Sequence, residues 1–230
     1  MTRPTLARTP RPLRGASPAH VRTSSVPSLW CASLRVGQVC GLVTFALLAA
    51  SAVQAQDVAW KIDKAHSKVG FVARHLAFAK VSGKFGAFDA KITANAKTGK
   101  LSSVEATVQA ASVDTDNDKR DQHLRKDDFF AADKHPTLKL KTKSIKWNGN
   151  RFTALTALTI RGVTRDVTFT GELLGARKVD FGRGSHMRAA YEATAKINRK
   201  EFGLRFNGLA EGISIVGDEV EIDLQIEASH

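Results

Sequence analysis

Val220-Glu-Ile-Asp-Leu-Gln-Ile226 carries apolar side chains at 220, 222, 224 and 226 and polar ones at 221, 223 and 225. Successive side chains of a β-strand point to opposite faces, so this stretch reads as a strand with one face on a core and one in solvent. The same period of two recurs upstream. Tyr191-Glu-Ala-Thr-Ala-Lys-Ile197 is apolar at odd positions and Val104-Glu-Ala-Thr-Val-Gln-Ala110 at even ones. Leu138-Lys-Leu-Lys-Thr-Lys143 has one basic and one mostly apolar face, and residues 152–160 and 167–170 are rich in Thr and branched side chains. Half-buried antiparallel strands alternate in this way.

Turn residues fall between these runs. Asn148-Gly149 suits a type I′ hairpin, so segments 137–147 and 151–160 are expected to pair. Gly217-Asp218 is expected to turn the chain between 213–216 and 220–226, and Lys97-Thr-Gly-Lys100 to part 90–94 from 101–110. Gly162 and Gly171 punctuate the middle, and residues 174–187, with Gly175, Gly182 and Gly184, make the longest expected loop. About eight strands at hairpin spacing predict an all-β, antiparallel barrel or sandwich. One segment departs from alternation. Between Asp116 and Phe130, Asp and Asn lead and Leu124, Phe129 and Phe130 follow, which predicts a short capped helix near 117–130 at a barrel mouth. Pro136 stands where that helix must have ended.

Residues 1–55 read differently. They hold six Arg, no Lys and no acidic residue, with prolines through the first 27 positions. An apolar run from Val39 to Val53 then leads to Val53-Gln54-Ala55. A basic flank, an apolar stretch of about 15 residues and a small-residue site form the pattern of a secretory signal, with cleavage expected near Ala55. The basic part is long, which fits an extended leader or a start codon further downstream. A membrane anchor is the alternative, although the run falls short of the ~20 residues of a spanning helix. No Arg-Arg pair precedes it, which favours general export over the twin-arginine route. The expected domains are therefore a leader, 1–55, and one barrel domain, 56–230, exported with no stable membrane span once the leader is removed.

The whole chain has 230 residues and a formal charge of +13. Without the leader it has 175 residues, 29 basic and 22 acidic side chains and a charge of +7. Cys31 and Cys40 both lie in the leader, so the barrel domain has no thiol. That excludes disulfides, thiolate catalysis and Cys-ligated metal from it, and leaves core burial to stabilise it. The lysines at 139, 141 and 143 alternate along one strand, as a solvated face does, and no basic-aromatic motif marks a nucleic-acid partner.

Candidate chemistry is sparse. Asp114-Thr-Asp-Asn-Asp-Lys119 has carboxylates at alternate positions, but a calcium loop needs Gly sixth and Glu twelfth, where Lys119 and Arg125 stand. His66, His75, His123, His135, His186 and His230 form no tight metal-binding pair, and no Gly-x-Ser-x-Gly or phosphate loop is present. No cofactor or metal is expected. The phenylalanines are more informative, since eleven of the twelve fall after residue 55. They serve either a packed core or an apolar cavity, because a barrel of about eight strands is filled by side chains or holds one small ligand.

Taken together, His66-Ser-Lys-Val-Gly-Phe-Val-Ala-Arg-His-Leu76, Val81-Ser-Gly-Lys-Phe-Gly-Ala-Phe88, residues 112–130 with His135-Pro136, Leu158-Thr-Ile-Arg-Gly-Val-Thr164, Arg199-Lys-Glu-Phe-Gly-Leu204 and Gly217-Asp-Glu-Val-Glu-Ile222 resemble the YceI-like family over nearly all of 57–229. One departure is Asp166, where the family commonly has Pro, in what reads as a loop. The resemblance implies a lipocalin-like barrel in the periplasm that holds an elongated apolar lipid: a polyisoprenoid such as a quinone tail or isoprenyl phosphate, or a fatty-acid-like amphiphile. It implies no catalytic set. Lining residues expected from the apolar strand faces and these blocks are Phe71, Phe78, Phe85, Phe88, Phe129, Phe130, Leu158 and Phe169. Arg74, His75, Arg120 and His123 are expected to include donors for a polar head. Two other readings stay open: an enzyme acting on a quinone-like molecule through His75 or Asp121, and a filled barrel acting through protein partners in envelope stress. A homodimer is also left open.

Overall fold

A computed structural model describes residues 56–230 except residue 183. The expected leader, 1–55, lies outside the described residues. Thirteen strands carry the described chain: β1 Asp57–Ile62, β2 Lys68–His75, β3 Ala79–Phe85, β4 Phe88–Asn95, β5 Leu101–Gln109, β6 Val113–Asp114, β7 Thr137–Asn148, β8 Arg151–Ile160, β9 Val163–Asp180, β10 Ser185–Asn198, β11 Leu209–Ala210, β12 Ile213–Ser214 and β13 Val216–Ser229.

The ring runs β1-β4-β5-β7-β8-β9-β10-β13, and β13 pairs back with β1 through Ala228 and Ile62. Every pairing is antiparallel. The result is a closed eight-stranded barrel, which leaves no unpaired edge around the ring. The first three staves are each broken in two. β2 continues β1 along β13, β3 leads into β4, and β6 extends the line of β5 beside β3. The break between β1 and β2 is a 3-10 turn, Lys64–His66, capped by Asp63, whose carboxylate accepts from the backbone of Ala65 and His66.

Alternation directs the packing. Along β8, Phe152, Ala154, Thr156, Leu158 and Ile160 are buried, while Arg151, Thr153 and Leu155 face out. The hairpin 148–151 forms, with Asn148 opposite Arg151. Its two turn residues are Gly149 and Asn150, and only Gly149 has a positive φ, so the turn is not the type I′ expected from Asn-Gly. The Lys97–Lys100 turn also forms, with the Asn95 side chain accepting from Lys97 and Thr98 and Gly99 at φ +69°.

Three local expectations are corrected. Gly217-Asp218 makes no turn: it lies inside β13, at the register shift between Val216 and Val220. The turn falls earlier, at Glu211-Gly212 between β11 and β12, both with positive φ. Residues 174–187 are not a long loop. β9 and β10 stay paired out to Asp180 and Ser185, past a bulge at Leu174. Asp166 also lies in strand, opposite Ala157, and receives Lys143 Nζ on the outer wall.

The capped helix forms but is shorter than the expected 117–130: it ends at Leu124, and Phe129 and Phe130 lie in the turns that follow. α1, Asp118–Leu124, is capped by Asn117, whose side chain accepts from Arg120 N at 3.0 Å. Buried Asp121 accepts from the backbone N–H and the hydroxyl of Thr115, and Arg125 donates to Ala111 and Val113 carbonyls. These bonds seat α1 and the segment after it across one end of the barrel, hereafter the lid end. Arg161, in the β8–β9 turn, donates to the carbonyls of Asp127 and Phe129 and pins the same segment from the other side.

Candidate functional site

The barrel is hollow. An apolar cavity of about 240 Å³ occupies it, lined from all eight staves. The lining on β13 runs from Val216 to Ile226, a path of about 30 Å at the usual strand rise. Val220, Ile222, Leu224 and Ile226 point inward yet are only partly buried, because they border the cavity, Ile222, Leu224 and Ile226 while also packing on the buried core. The lid end is closed by Leu124, Phe129, Phe130 and Leu204. The opposite end is packed by Trp60, Ile92, Leu173, Tyr191 and Ala228, with Trp60 Nε1 donating to the Ala94 carbonyl.

Two glycines help keep the interior open. Gly83 is the cross-strand partner of Phe71, and a β-carbon there would stand 2.3 Å from Phe71 Cζ. Gly171 faces Phe152 in the same way, with a β-carbon 2.4 Å from Phe152 Cζ. Each ring therefore lies over bare backbone, against the wall, instead of standing into the centre.

The few polar side chains on the wall are already bonded to the fold. The Tyr191 hydroxyl donates to the Gly99 carbonyl at 2.6 Å, and burial pushes the phenol well above its usual range. Thr156 donates to the Val167 carbonyl, and Thr142 accepts from Val104 N. Arg199, 3% exposed, donates to the carbonyls of Gly217, Leu204 and Val216 and to Asp218. Burial draws its pKa below the ordinary arginine value. Asp89 and Lys139 border the cavity but keep their charges outside, Asp89 on Lys64. An apolar cavity of about 150 Å³ stays dry and takes up benzene, so one larger and as apolar is a site for hydrocarbon rather than water.

Of the expected lining residues, Phe71, Phe85, Phe88, Phe129, Phe130, Leu158 and Phe169 border the cavity. Phe78 does not: it sits on the β2–β3 turn at 74% exposure. Arg74, His75, Arg120 and His123 stand at the lid end and outside the cavity wall. Arg120 donates to the hydroxyl and carbonyl of Thr115, and His75 Nδ1 lies 2.9 Å from the Ile215 carbonyl. His123 approaches Asp128 and sets its edge against Phe129 and Phe206, which stack on each other at 5.0 Å. Asp121, the other acid or base candidate, accepts from Thr115 away from the cavity. The wall also has a large aliphatic part outside the expected set, notably Ile145, Ile222 and Leu224, the last two of which strand alternation marks.

Comparison with known proteins agrees with this geometry. A UPF0312 protein of Pseudomonas paraeruginosa is 33% identical over 179 residues, 77% of this chain and 90% of that protein. Protein YceI of Shigella flexneri is 33% identical over 187 residues, covering 80% and 94%. The crystal structure of a YCEI protein from Campylobacter jejuni superimposes with a TM-score of 0.59 at 28% identity, over 68% of this chain and 89% of that one. The YceI-like domain model matches residues 60–228, and the chain belongs to the YceI-like family.

Proposed function

We propose that this protein binds and carries an elongated apolar lipid, with the hydrocarbon inside the barrel. The observation that carries the reading is the hollow interior: partly buried aliphatic side chains around an apolar space, with the buried polar wall groups Tyr191, Thr156 and Arg199 bonded into the fold. A polyisoprenoid, such as a quinone tail or an isoprenyl phosphate, is the ligand class proposed. Such a chain offers almost no hydrogen bonds, so its affinity must come from apolar surface removed from water, at about 25 cal/mol per Å² before ordering costs. A fatty-acid-like amphiphile meets the same wall equally well. A polar head would leave at the lid end, where Arg74, His75, Arg120 and His123 stand. Export to the periplasm, from the basic-apolar pattern of residues 1–55, belongs to the same proposal.

Binding is favoured over catalysis. A quinone-directed enzyme needs an acid or base within reach of the bound molecule. His75 and Asp121 stand outside the cavity wall, and at the end of the cavity opposite the lid the Tyr191 hydroxyl is spent on Gly99. The test is uptake of a long-tailed quinone by protein in which the space is filled. Ala106→Trp and Ala193→Trp, both on the cavity wall, should fold and lose uptake. Undiminished uptake in both would place the ligand outside the barrel.

A further inference from the structure

Six large apolar side chains are exposed among the described residues, and three of them gather at the lid end: Phe78 at 74%, Leu209 at 61% and Ile213 at 47%. They crown two neighbouring tips. Leu76-Ala77-Phe78 forms the β2–β3 turn, and β11–β12 is a two-stranded ribbon beside it. Leu76 N donates to the Ile215 carbonyl at 3.2 Å, and Ile215 N to the Gly208 carbonyl, which ties the two tips together.

The tips are built against ordinary preference. Leu76 and Ala77 hold φ of +50° and +67°, the left-handed region that residues with a β-carbon avoid and that turns usually give to Gly or Asn. The turn is all apolar, holds Phe78 in water, and adds no side chain to either buried core cluster. The ribbon shows a second feature. Leu209 pairs with Ser214 and Ala210 with Ile213, so Leu209 and Ile213 project from opposite faces, and both are exposed. A protein partner seated on one face would leave the other in water. A fluid apolar medium that surrounds the tip covers both.

The charges around the tips select the kind of surface. Arg74 and Lys80 are directly opposed across β2 and β3, an arrangement that repels. Arg74, Lys80 and Arg205 are all exposed, and no carboxylate among the described residues makes an ion pair with any of them. The neighbouring carboxylates Asp218 and Glu219 are held by Arg199, Lys200 and Lys196, which leaves Glu211 as the acidic group of the tips. Apolar tips inside a basic collar match a bilayer with anionic headgroups. We propose that the lid end docks on such a bilayer, with Phe78, Leu209 and Ile213 in the boundary between headgroups and acyl chains and Arg74, Lys80 and Arg205 on lipid phosphates. This surface goes beyond the carrier reading and does not require it, since a barrel that carries nothing can dock by the same tips.

The test is local, so that residues 1–55, with their own apolar run, do not confuse it. In a Cys31→Ser/Cys40→Ser background, a single cysteine at Phe78→Cys, at Ile213→Cys or at the distant control Thr153→Cys is labelled with an environment-sensitive dye. Each protein is mixed with phosphatidylcholine vesicles with and without phosphatidylglycerol. The labels at 78 and 213 should shift to the blue and brighten several-fold on the anionic vesicles, lose most of that signal in high salt, and leave the label at 153 unchanged. A Phe78→Ser/Leu209→Ser/Ile213→Ser protein with an unchanged melting temperature should take up quinone from an aqueous dispersion as the parent does. No shift at 78 and 213 overturns docking, as does a tip-dependent dimer formed without vesicles. Failure of the parent to take up quinone while the dye shifts persist overturns the carrier reading alone.

Discussion

The Phe71 ring lies across the backbone of Gly83, its partner on the next strand, with Cζ where a β-carbon would stand 2.3 Å away. Phe152 and Gly171 repeat the relationship on another pair of strands. A barrel this size is easily filled by its own aromatic side chains. Laying rings over glycine keeps them in the wall and frees the axis. Gly83→Ala should push the Phe71 ring inward, cost about 1–3 kcal/mol in urea unfolding and weaken lipid binding about tenfold. The double variant Gly83→Ala/Phe71→Leu should recover the binding.

Arg199 holds the lid end from within. Its guanidinium joins three carbonyls from the 204–217 region and Asp218 while bordering the cavity. Arg199→Ala leaves those acceptors unmet and should cost about 3 kcal/mol or more in chemical unfolding. Arg199→Lys should fall between, because one ammonium cannot reach all four partners.

At the opposite end, Asp63 joins β1 to β10. It takes bonds from His66 and from Arg188 Nη1 at 3.0 Å, and these hold its pKa at about 2. A carboxylate depressed in the folded state adds stability that is present above its unfolded pKa, about 3.9, and is lost as pH falls through the folded value. Asp63→Asn should therefore be less stable than the parent at pH 7, by about 1–2 kcal/mol given its partial exposure. Unfolding curves of the two should converge between about pH 4 and pH 2.

In the proposed reading the lid-end residues take a polar head and the cavity wall takes the tail, which makes the two separable. Arg120→Ala and His123→Ala should leave affinity for a headless polyprene unchanged and weaken an isoprenyl phosphate by about tenfold, or about 1.4 kcal/mol. Calorimetry with both ligands checks this, and equal affinities for the phosphate in parent and variants would remove these two residues from the proposal.

The strands, their inward faces and the capped helix were legible because each depends on local rules. Alternation orients Val220 to Ile226, and Asn117 caps α1 through its own side chain. Gly217-Asp218 misled because glycine serves both turns and bulges, and the pairing of β13 with β2 decides which. The 174–187 segment misled for the same reason, since its glycines lie in a paired ribbon and its tip. Phe78 reads as lining by its apolar character, but the three-residue turn that carries it faces it outward. The hollow interior is implied by the family resemblance and is not legible in the strand pattern. Periodicity tells which way a side chain points, whereas the vacancy depends on cross-strand meetings such as Phe71 with Gly83.

Native mass spectrometry of the protein isolated from its producing cells, followed by organic extraction, tests the central claim most directly. A long-chain lipid bound at close to one per chain, released by solvent and taken up again from added quinone or polyprenol, is the predicted result. A mass equal to the bare polypeptide, unchanged after either lipid is supplied, would contradict it.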